Sequence, residues 1–326
     1  MTIAEIAKLA GVAKSTVSRY LNGGSVSENT KLKIEQVIKE TGYVPNTFAR
    51  SLKAKKTSIV GTIVPRLNSY ATSQTLIGID EHLRENNYQL LISNTSQDLN
   101  REVESIYSLA NQKIAGIILL ATQITDRHLE AFDKINVPVL LVGQQNHHFY
   151  SVIHNDEHAG YEIGKYVISQ GHKKIAYLGV TEEDIAVGVK RKRGFQKAVR
   201  YDNECEVHYF ETSFKLTEAI KKFPAIFETY KPSIFVCATD NIALGVLKAA
   251  QMRGLKIPKD LSITGFGGYE VTEIIHPSIT TANFFYKEAG ILAAKNIVKL
   301  INNEEIEKVT VSNFELIIRD SVDKLN

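Results

Sequence analysis

From residue 58 onward, short β-branched apolar runs alternate with longer stretches whose apolar positions recur every three or four residues. The runs are "SIVGTIVP", "YQLLISNT", "IAGIILLA", "VPVLLVG", "KIAYLGV", "CEVHYFE", "SIFVCATD" and "LSITGFG". Runs that are apolar throughout and separated by amphipathic helices predict parallel sheets covered on both faces. So many strands predict an α/β body of two doubly wound lobes of the periplasmic-binding type. The change near Asp156–Tyr161 predicts a crossover between lobes, and "TTANFFYKEAG" a return. The expected division is an N-lobe over 58–156 plus 285–312, and a C-lobe over 157–284 plus the C-terminal end.

The first 57 residues follow a different rhythm. Thr2-Ile-Ala-Glu5 has the spacing of a capping box, and Ile3, Ile6, Ala7 and Ala10 recur at helical spacing up to Gly11. A second helix is predicted over about Lys14 to Leu21, with Val17 and Leu21 inward and Lys14, Ser15, Ser18 and Arg19 outward. A third runs from Ser27 to about Glu40, with Leu32, Ile34, Val37 and Ile38 completing a small core. Two short helices across a Gly-containing turn form a helix-turn-helix, whose second helix can enter a DNA major groove. In "TGYVPNTFARSLKAKKTS", Gly42 stops the third helix and Pro45 enforces an extended turn. Asn46 can then cap a short basic helix, about 46–54, that folds only against a partner. Leu52 on that helix can wedge between base steps in the minor groove.

Charge divides at the same place. Residues 1–57 hold ten Lys/Arg against four Glu, so a +6 head precedes a −3 body within a chain of net charge +3. Only the head is suited to a polyanion. No apolar run approaches the ~20 residues that span a bilayer, and the N-terminus lacks a secretory layout, so a cytoplasmic protein is expected. Cys237, inside "SIFVCAT", reads as a buried free thiol. His154 and His158 stand i, i+4 behind His147-His148, but no third convergent ligand completes a zinc site. No phosphate loop, dinucleotide fingerprint, nucleophile elbow or acid/base pair stands out. Neither a metal, a cofactor nor enzymatic activity is expected.

"TIAEIAKLAGVAKSTVSRYLNG", "TGYVPNTFARSL" and the body strands resemble the lactose/galactose repressor (LacI–GalR) family of transcription regulators. The resemblance covers essentially the whole chain and is most specific in the head. It implies a homodimer on a pseudo-palindromic double-stranded operator. Lys14, Ser15 and Arg19 would lie in the major groove, and Thr2, Thr16, Ser18, Asn22, Ala49 and Arg50 would join the DNA-contacting set. Asn46 would cap the hinge helix and Leu52 intercalate at the operator centre. Ala13 departs from the family's common Ser cap on the recognition helix. Within the family, "VPRLNSYAT", "GVKRKRGF" and "ITGFGGYEVTEIIHP" look most like sucrose-operon repressors of Gram-positive bacteria, with trehalose repressors next.

Ligands of such bodies bind beyond the carboxyl ends of the strands, here between the lobes. The strand ends offer Arg66, Ser69 and Tyr70, then Thr239 and Asp240, then Phe266. The family's Arg-x-x-Gly-aromatic pattern falls on Arg191 to Phe195 and implies an arginine on ligand hydroxyls. Gly267 stands where many relatives carry an effector-gripping Asp, and Asn155-Asp156 reverses their usual order, which would neutralise two cleft positions. Phe284 and Tyr286 could stack on a sugar. Asp240 could equally cap the helix that follows, Tyr286 could be a core or dimer aromatic, and Arg66 could bridge the lobes by a salt bridge. The body alone would also suit a sugar-binding transport protein, against which the head argues. A sugar or sugar phosphate, sucrose or its 6-phosphate first, is the expected effector. The intact chain should bind an inverted-repeat duplex that residues 58–326 do not, with a log–log salt slope near 0.9 per phosphate contact. Gel retardation across a salt series checks this, and equal affinity of the truncated body would sink the reading.

Overall fold

The computed structural model describes residues 1–21, 23–43, 57–200 and 202–325. It divides into two compact units, Met1–Thr57 and Ser58–Asn326. In the first, helices α1 (Ile3–Leu9), α2 (Lys14–Leu21) and α3 (Glu28–Thr41) enclose Ile6, Ala7, Ala10, Val17, Ile34 and Tyr43. The capping box is present: Thr2 Oγ1 accepts the Glu5 N–H, and Glu5 Oε2 accepts the Thr2 N–H at 2.7 Å. Ser27 caps α3 by accepting the Thr30 N–H, and Gly42, at φ 59°, closes it in the left-handed conformation that glycine tolerates. Leu32 differs from expectation. It is 59% exposed, because Ile34, Val37 and Ile38 share the inner face of α3 and a residue two before Ile34 points away.

The second unit holds two six-stranded sheets. The N-lobe sheet contains β1 (Ile59–Val64), β2 (Gln89–Asn94), β3 (Gly116–Leu120), β4 (Val139–Val142), β5 (Tyr150–His154) and β11 (Val309–Ser312). Their order is β11-β5-β4-β3-β1-β2, all parallel. The C-lobe sheet, ordered β12-β10-β9-β8-β6-β7, contains β6 (Lys174–Gly179), β7 (Glu206–Glu211), β8 (Ile234–Cys237), β9 (Ser262–Gly267), β10 (Thr280–Phe284) and β12 (Phe314–Ile317). Only β12 runs antiparallel, against β10. All eight predicted strands are present. The edge strands β2 and β7 are more exposed than their apolar spelling predicts, leaving Leu91, Ile92 and Tyr209 uncovered, because an edge lacks one neighbour. The chain crosses between sheets after β5, after β10 and between β11 and β12.

Each lobe hides the same device. In the N-lobe, α4 (Tyr70–Glu85) crosses the helix Tyr286–Ile301 so closely that β-carbons on Gly78 and Gly290 would stand 2.0 and 2.1 Å from the carbonyl oxygens of Lys287 and Thr75. In the C-lobe, the helix Asp156–Ser169 meets Arg191 and the helix Lys192–Val199 in the same way, with Gly160 against Arg191 O and Gly194 against Glu157 O. Two lobes with matching glycine-to-backbone crossings are a structural duplication that the bare sequence does not reveal. Backbone cannot give way as a side chain can, so Gly290→Ala should cost about 1–3 kcal/mol or more. Urea denaturation of the full chain checks this, with a lowered midpoint expected.

Candidate functional site

The head exposes one polar face. Lys14, Ser15 and Arg19 lie exposed on α2, Thr16 and Ser18 are half-buried, and Val17 is sealed on the opposite side. The Tyr20 hydroxyl donates to Glu35 at 2.8 Å and ties α2 to α3. Gly24 is bare because a β-carbon would fall 2.6 Å from Arg19 Cγ, and its N–H donates to the Arg19 carbonyl at 2.9 Å. The turn after α2 therefore seats the stem of Arg19. Thr2 is exposed at the head of α1. Asn22, Asn46, Ala49, Arg50 and Leu52, and with them the expected hinge helix, lie outside the described residues.

The body holds a cleft of about 800 Å³, its open mouth included, where the carboxyl ends of both sheets face each other. Pro65, Arg66 and Ser69 follow β1, Thr122 follows β3, and Gly143 and Gln144 follow β4 on one wall. Asp184, Arg191, Phe214, Thr239 and Tyr269 form the other, and His154, Asp156 and Tyr286 lie where the chain crosses.

Arg191 ends a π-helical turn, Ile185–Arg191, that opens on Asp184 and runs directly into Lys192–Val199. Gly188 permits the turn, since a β-carbon would sit 2.1 Å from the Thr181 carbonyl oxygen. The Arg191 side chain is buried. Its Nε donates to Asp156 Oδ1 at 2.8 Å and its Nη1 to the Ala238 carbonyl at 2.9 Å. The guanidinium lies 4.5 Å from the Phe284 ring centroid and 5.5 Å from that of Phe266. Burial opposes its charge, but the Asp156 carboxylate, with Tyr286 and Asp184 beside it, lifts its pKa above the ordinary value. Of a guanidinium's five donors, the two bonded ones are fixed and the rest border the cleft.

Arg66 makes no ion pair among the described residues; it lies over the Phe214 ring, 4.5 Å from the centroid, across the cleft. The expected salt-bridge alternative is replaced by a cation–π contact. Ser69 and Thr239 line the cleft and also cap helices, accepting the N–H groups of Thr72 and Ile242.

Several expected contacts fall elsewhere. Asn155 is not among the lining residues; it precedes the helix Asp156–Ser169, while Asp156 faces the cleft. Asp156 and Asp184 therefore balance Arg66 and Arg191, so the pocket is not the strongly positive one that Gly267 and Asn155 implied. Asp240 neither lines the cleft nor caps a helix. It is fully buried, with Oδ2 accepting the Tyr269 N–H at 2.8 Å and Oδ1 accepting the Thr281 hydroxyl at 2.7 Å. Burial pushes its pKa up to about 6 against those bonds. Phe266 and Phe284 are core residues beneath Arg191 and support it from behind. Tyr70 stands outside the lining set. Its ring centroid lies 4.5 Å from that of Tyr269 on the opposite lobe. A β-carbon at 267 would meet Tyr269 Cε1 at 2.5 Å, and the φ of 143° there strains any residue but glycine.

Reasoning from sequence passed over Asp156, Asp184, Phe214 and Tyr269 as lining residues. Strand-end position was the available signal for Phe214 and Tyr269. His154 packs against Phe284 and Tyr286 and His158 against Tyr161 and Phe314, with the Phe284–Phe314 ring pair between the two sets. Cys205 and Cys237 are free thiols.

An exposed basic recognition helix joined in one chain to a two-lobed ligand cleft defines a DNA-binding regulator. Family models for "Bacterial regulatory proteins, lacI family" and "Periplasmic binding protein-like domain" match residues 2–46 and 165–322. The sucrose operon repressor of Staphylococcus xylosus is 41% identical over 314 residues, 96% of this chain and 98% of that protein. Catabolite control protein A of Priestia megaterium is 30% identical over 321 residues, 95% and 96% of the two chains. A lac repressor dimer bound to operator and an anti-inducer superposes with a TM-score of 0.91 at 22% identity over 99% of both chains. A CelR–cellobiose complex gives 0.75 at 24% identity over 98% and 99%. The chain belongs to the LacI family of bacterial regulatory proteins: it is a transcriptional regulator whose relatives are repressors, not enzymes. Among the described residues no helix is long and apolar enough to cross a membrane.

Burial, followed by the Arg191 charge, lowers the pKa of His154 to about 3. An unfolded histidine titrates near 6.5, so between those values the unfolded chain binds the extra proton and stability falls as pH drops below 6.5. From pH 7 to pH 5 His154 should contribute a loss of up to roughly 2 kcal/mol. Urea denaturation at both pH values checks this, and His154→Phe should lose correspondingly less.

Proposed function

We propose that the protein is a dimeric repressor of a sucrose-type operon whose operator affinity is set by a disaccharide in the cleft, sucrose 6-phosphate before sucrose. The observation that carries the proposal is Arg191: buried, paired once, backed by Phe284, and presenting its remaining donors to a cleft walled by Phe214, Tyr269 and Tyr286. Fixed donors beside aromatic faces suit a ring that offers hydroxyls at its rim and C–H groups on its face. Asp156 and Asp184 add acceptors for sugar hydroxyls.

The name of the Staphylococcus xylosus relative supports sucrose over other sugars. Arg66 supports the phosphate, because it reaches the cleft without an ion pair at contact distance among the described residues and guanidinium matches phosphate oxygens in pairs. In the head, Arg19 and Lys14 would read base edges, with the hinge residues 46–54 in the central minor groove. Ile77, Leu91 and Ile92, exposed on one lobe, offer apolar surface to a second copy. Effector alters operator affinity only as far as it prefers one lobe arrangement, since equal affinity for both shifts nothing.

Calorimetry of wild type and Arg66→Ala with sucrose and sucrose 6-phosphate tests the reading, alongside operator retardation with each sugar. The phosphate ester should bind more tightly to wild type, and that preference should vanish in Arg66→Ala. Equal wild-type affinities refute the phosphate, and no response of operator binding to either sugar refutes the effector. Saturation a hundredfold above Kd should stabilise the fold by about 2.7 kcal/mol.

A further inference from the structure

The helix α2 is held unevenly along its length. At its start Ala13 carries no side-chain oxygen that could cap it, and the first turn rests on the Ala13 carbonyl, which accepts the Thr16 and Val17 N–H groups at 2.9 and 3.2 Å. Its end is fixed from two sides. The Gly23 N–H donates to the Tyr20 carbonyl at 3.0 Å and the Gly24 N–H to the Arg19 carbonyl at 2.9 Å. With Gly23 at φ 73°, these are the two bonds of a Schellman motif. The Tyr20 side chain then crosses to α3 and donates its hydroxyl to Glu35 Oε1 at 2.8 Å. Arg19 stands on this same last turn.

The acid in that contact is electrostatically out of place. Residues 1–57 hold four glutamates. Glu5 completes the capping box, Glu28 pairs with Lys31 at 3.6 Å, and Glu40 accepts the Gln36 side-chain amide at 2.9 Å. Glu35 is half-buried against α2 and makes no ion pair among the described residues. A carboxylate there repels DNA phosphates, so affinity is not what it supplies. What it supplies is geometry. A hydrogen bond to a charged acceptor is stronger than a neutral one, and this one raises the Tyr20 phenol above its ordinary pKa and keeps it a donor. Contacts to base edges depend on the aim of a side chain, whereas contacts to phosphates carry no sequence information.

Resting on the base-reading role proposed above for Arg19, we infer that Tyr20 and Glu35 are positioning residues for sequence discrimination. The hydrogen bond between them fixes the last turn of α2 against α3 and so sets the direction of the neighbouring Arg19 guanidinium. Lys14 and Ser15, on the first turn, lie outside its reach. Breaking the bond therefore degrades recognition of the base pair that Arg19 reads in each half-site, while affinity for DNA at large is kept or raised.

Selection of duplexes from a randomised inverted-repeat library by the full-length protein tests this without an operator known beforehand. Base preferences are compared among wild type, Arg19→Ala, Tyr20→Phe, Glu35→Ala, Glu35→Gln and the Tyr20→Phe/Glu35→Ala double variant, and a scrambled duplex reports affinity for DNA at large. Arg19→Ala identifies the base pair that the arginine reads. Tyr20→Phe keeps the ring that packs on the head's core. It and Glu35→Ala should each lower the preference at that base pair by about threefold or more, with other positions and the scrambled duplex not weakened. Glu35→Gln keeps an acceptor for the phenol and should retain the wild-type preference. The double variant should lose no more than either single change. Wild-type preferences in Tyr20→Phe, a loss spread evenly over all positions, or Glu35→Gln as damaging as Glu35→Ala overturns the inference and leaves the role of Arg19 standing. Unchanged preferences in Arg19→Ala overturn both.

Discussion

The buried ion pair of Arg191 and Asp156 is the interaction on which the body's arrangement depends. Asp156 opens the first helix after the chain leaves the N-lobe sheet, and Phe284, on which the guanidinium rests, ends the strand from which the chain returns. One side chain thus touches two of the three crossings between lobes and lines the cleft as well. Stripping water from two charges is expensive and is offset only when geometry and further hydrogen bonds are good. Here the second bond to the Ala238 carbonyl and the aromatic faces supply that compensation. Removing either partner would strand the other charge, so neither group can be relaxed independently.

The aromatic residues divide into two populations around this pair. His154, Phe284, Tyr286 and Phe314 cluster at the crossings, where rings fill the irregular space between sheets. Tyr70 on Tyr269 and Arg66 on Phe214 instead reach across the cleft from lobe to lobe. The cross-cleft contacts are weak, individually about 0.5–1.5 kcal/mol for a ring pair and comparable for an exposed cation–π contact. Contacts of that size can be exchanged for a ligand without disturbing the fold. The crossings, in contrast, are pinned by burial of the ion pair.

Glycine does the geometric work that lets the lobes match. Gly78 and Gly290 in one lobe, and Gly160 and Gly194 in the other, bring helix backbones into contact that any β-carbon would prevent. The helix carrying Arg191 is thereby fixed against the helix carrying Asp156, and the ion pair inherits its distance from that crossing. Gly188 adds the π-helical turn that rotates Arg191 into the cleft.

Local patterning determined much by itself. The capping box at Thr2, the αL stop at Gly42, the inward Val17 and outward Arg19, and eight of the strands follow from residue spacing, because periodicity and caps are set by neighbours in sequence. The split of charge between head and body is likewise a property of the chain alone, and the family resemblance rests on the same motifs. Tertiary structure decided what depends on who meets whom. Leu32 faces solvent because three neighbours already fill the inner face of α3. Asp240 turned from cap or ligand contact into the anchor of Tyr269, and Asn155 yielded the cleft to Asp156, because a one-residue step along a helix start changes the face presented. Phe214 and Tyr269 became cleft walls only when two sheets, far apart in sequence, turned their carboxyl ends toward each other. No local pattern records that approach, since its cause is the burial of residues separated by a hundred positions or more.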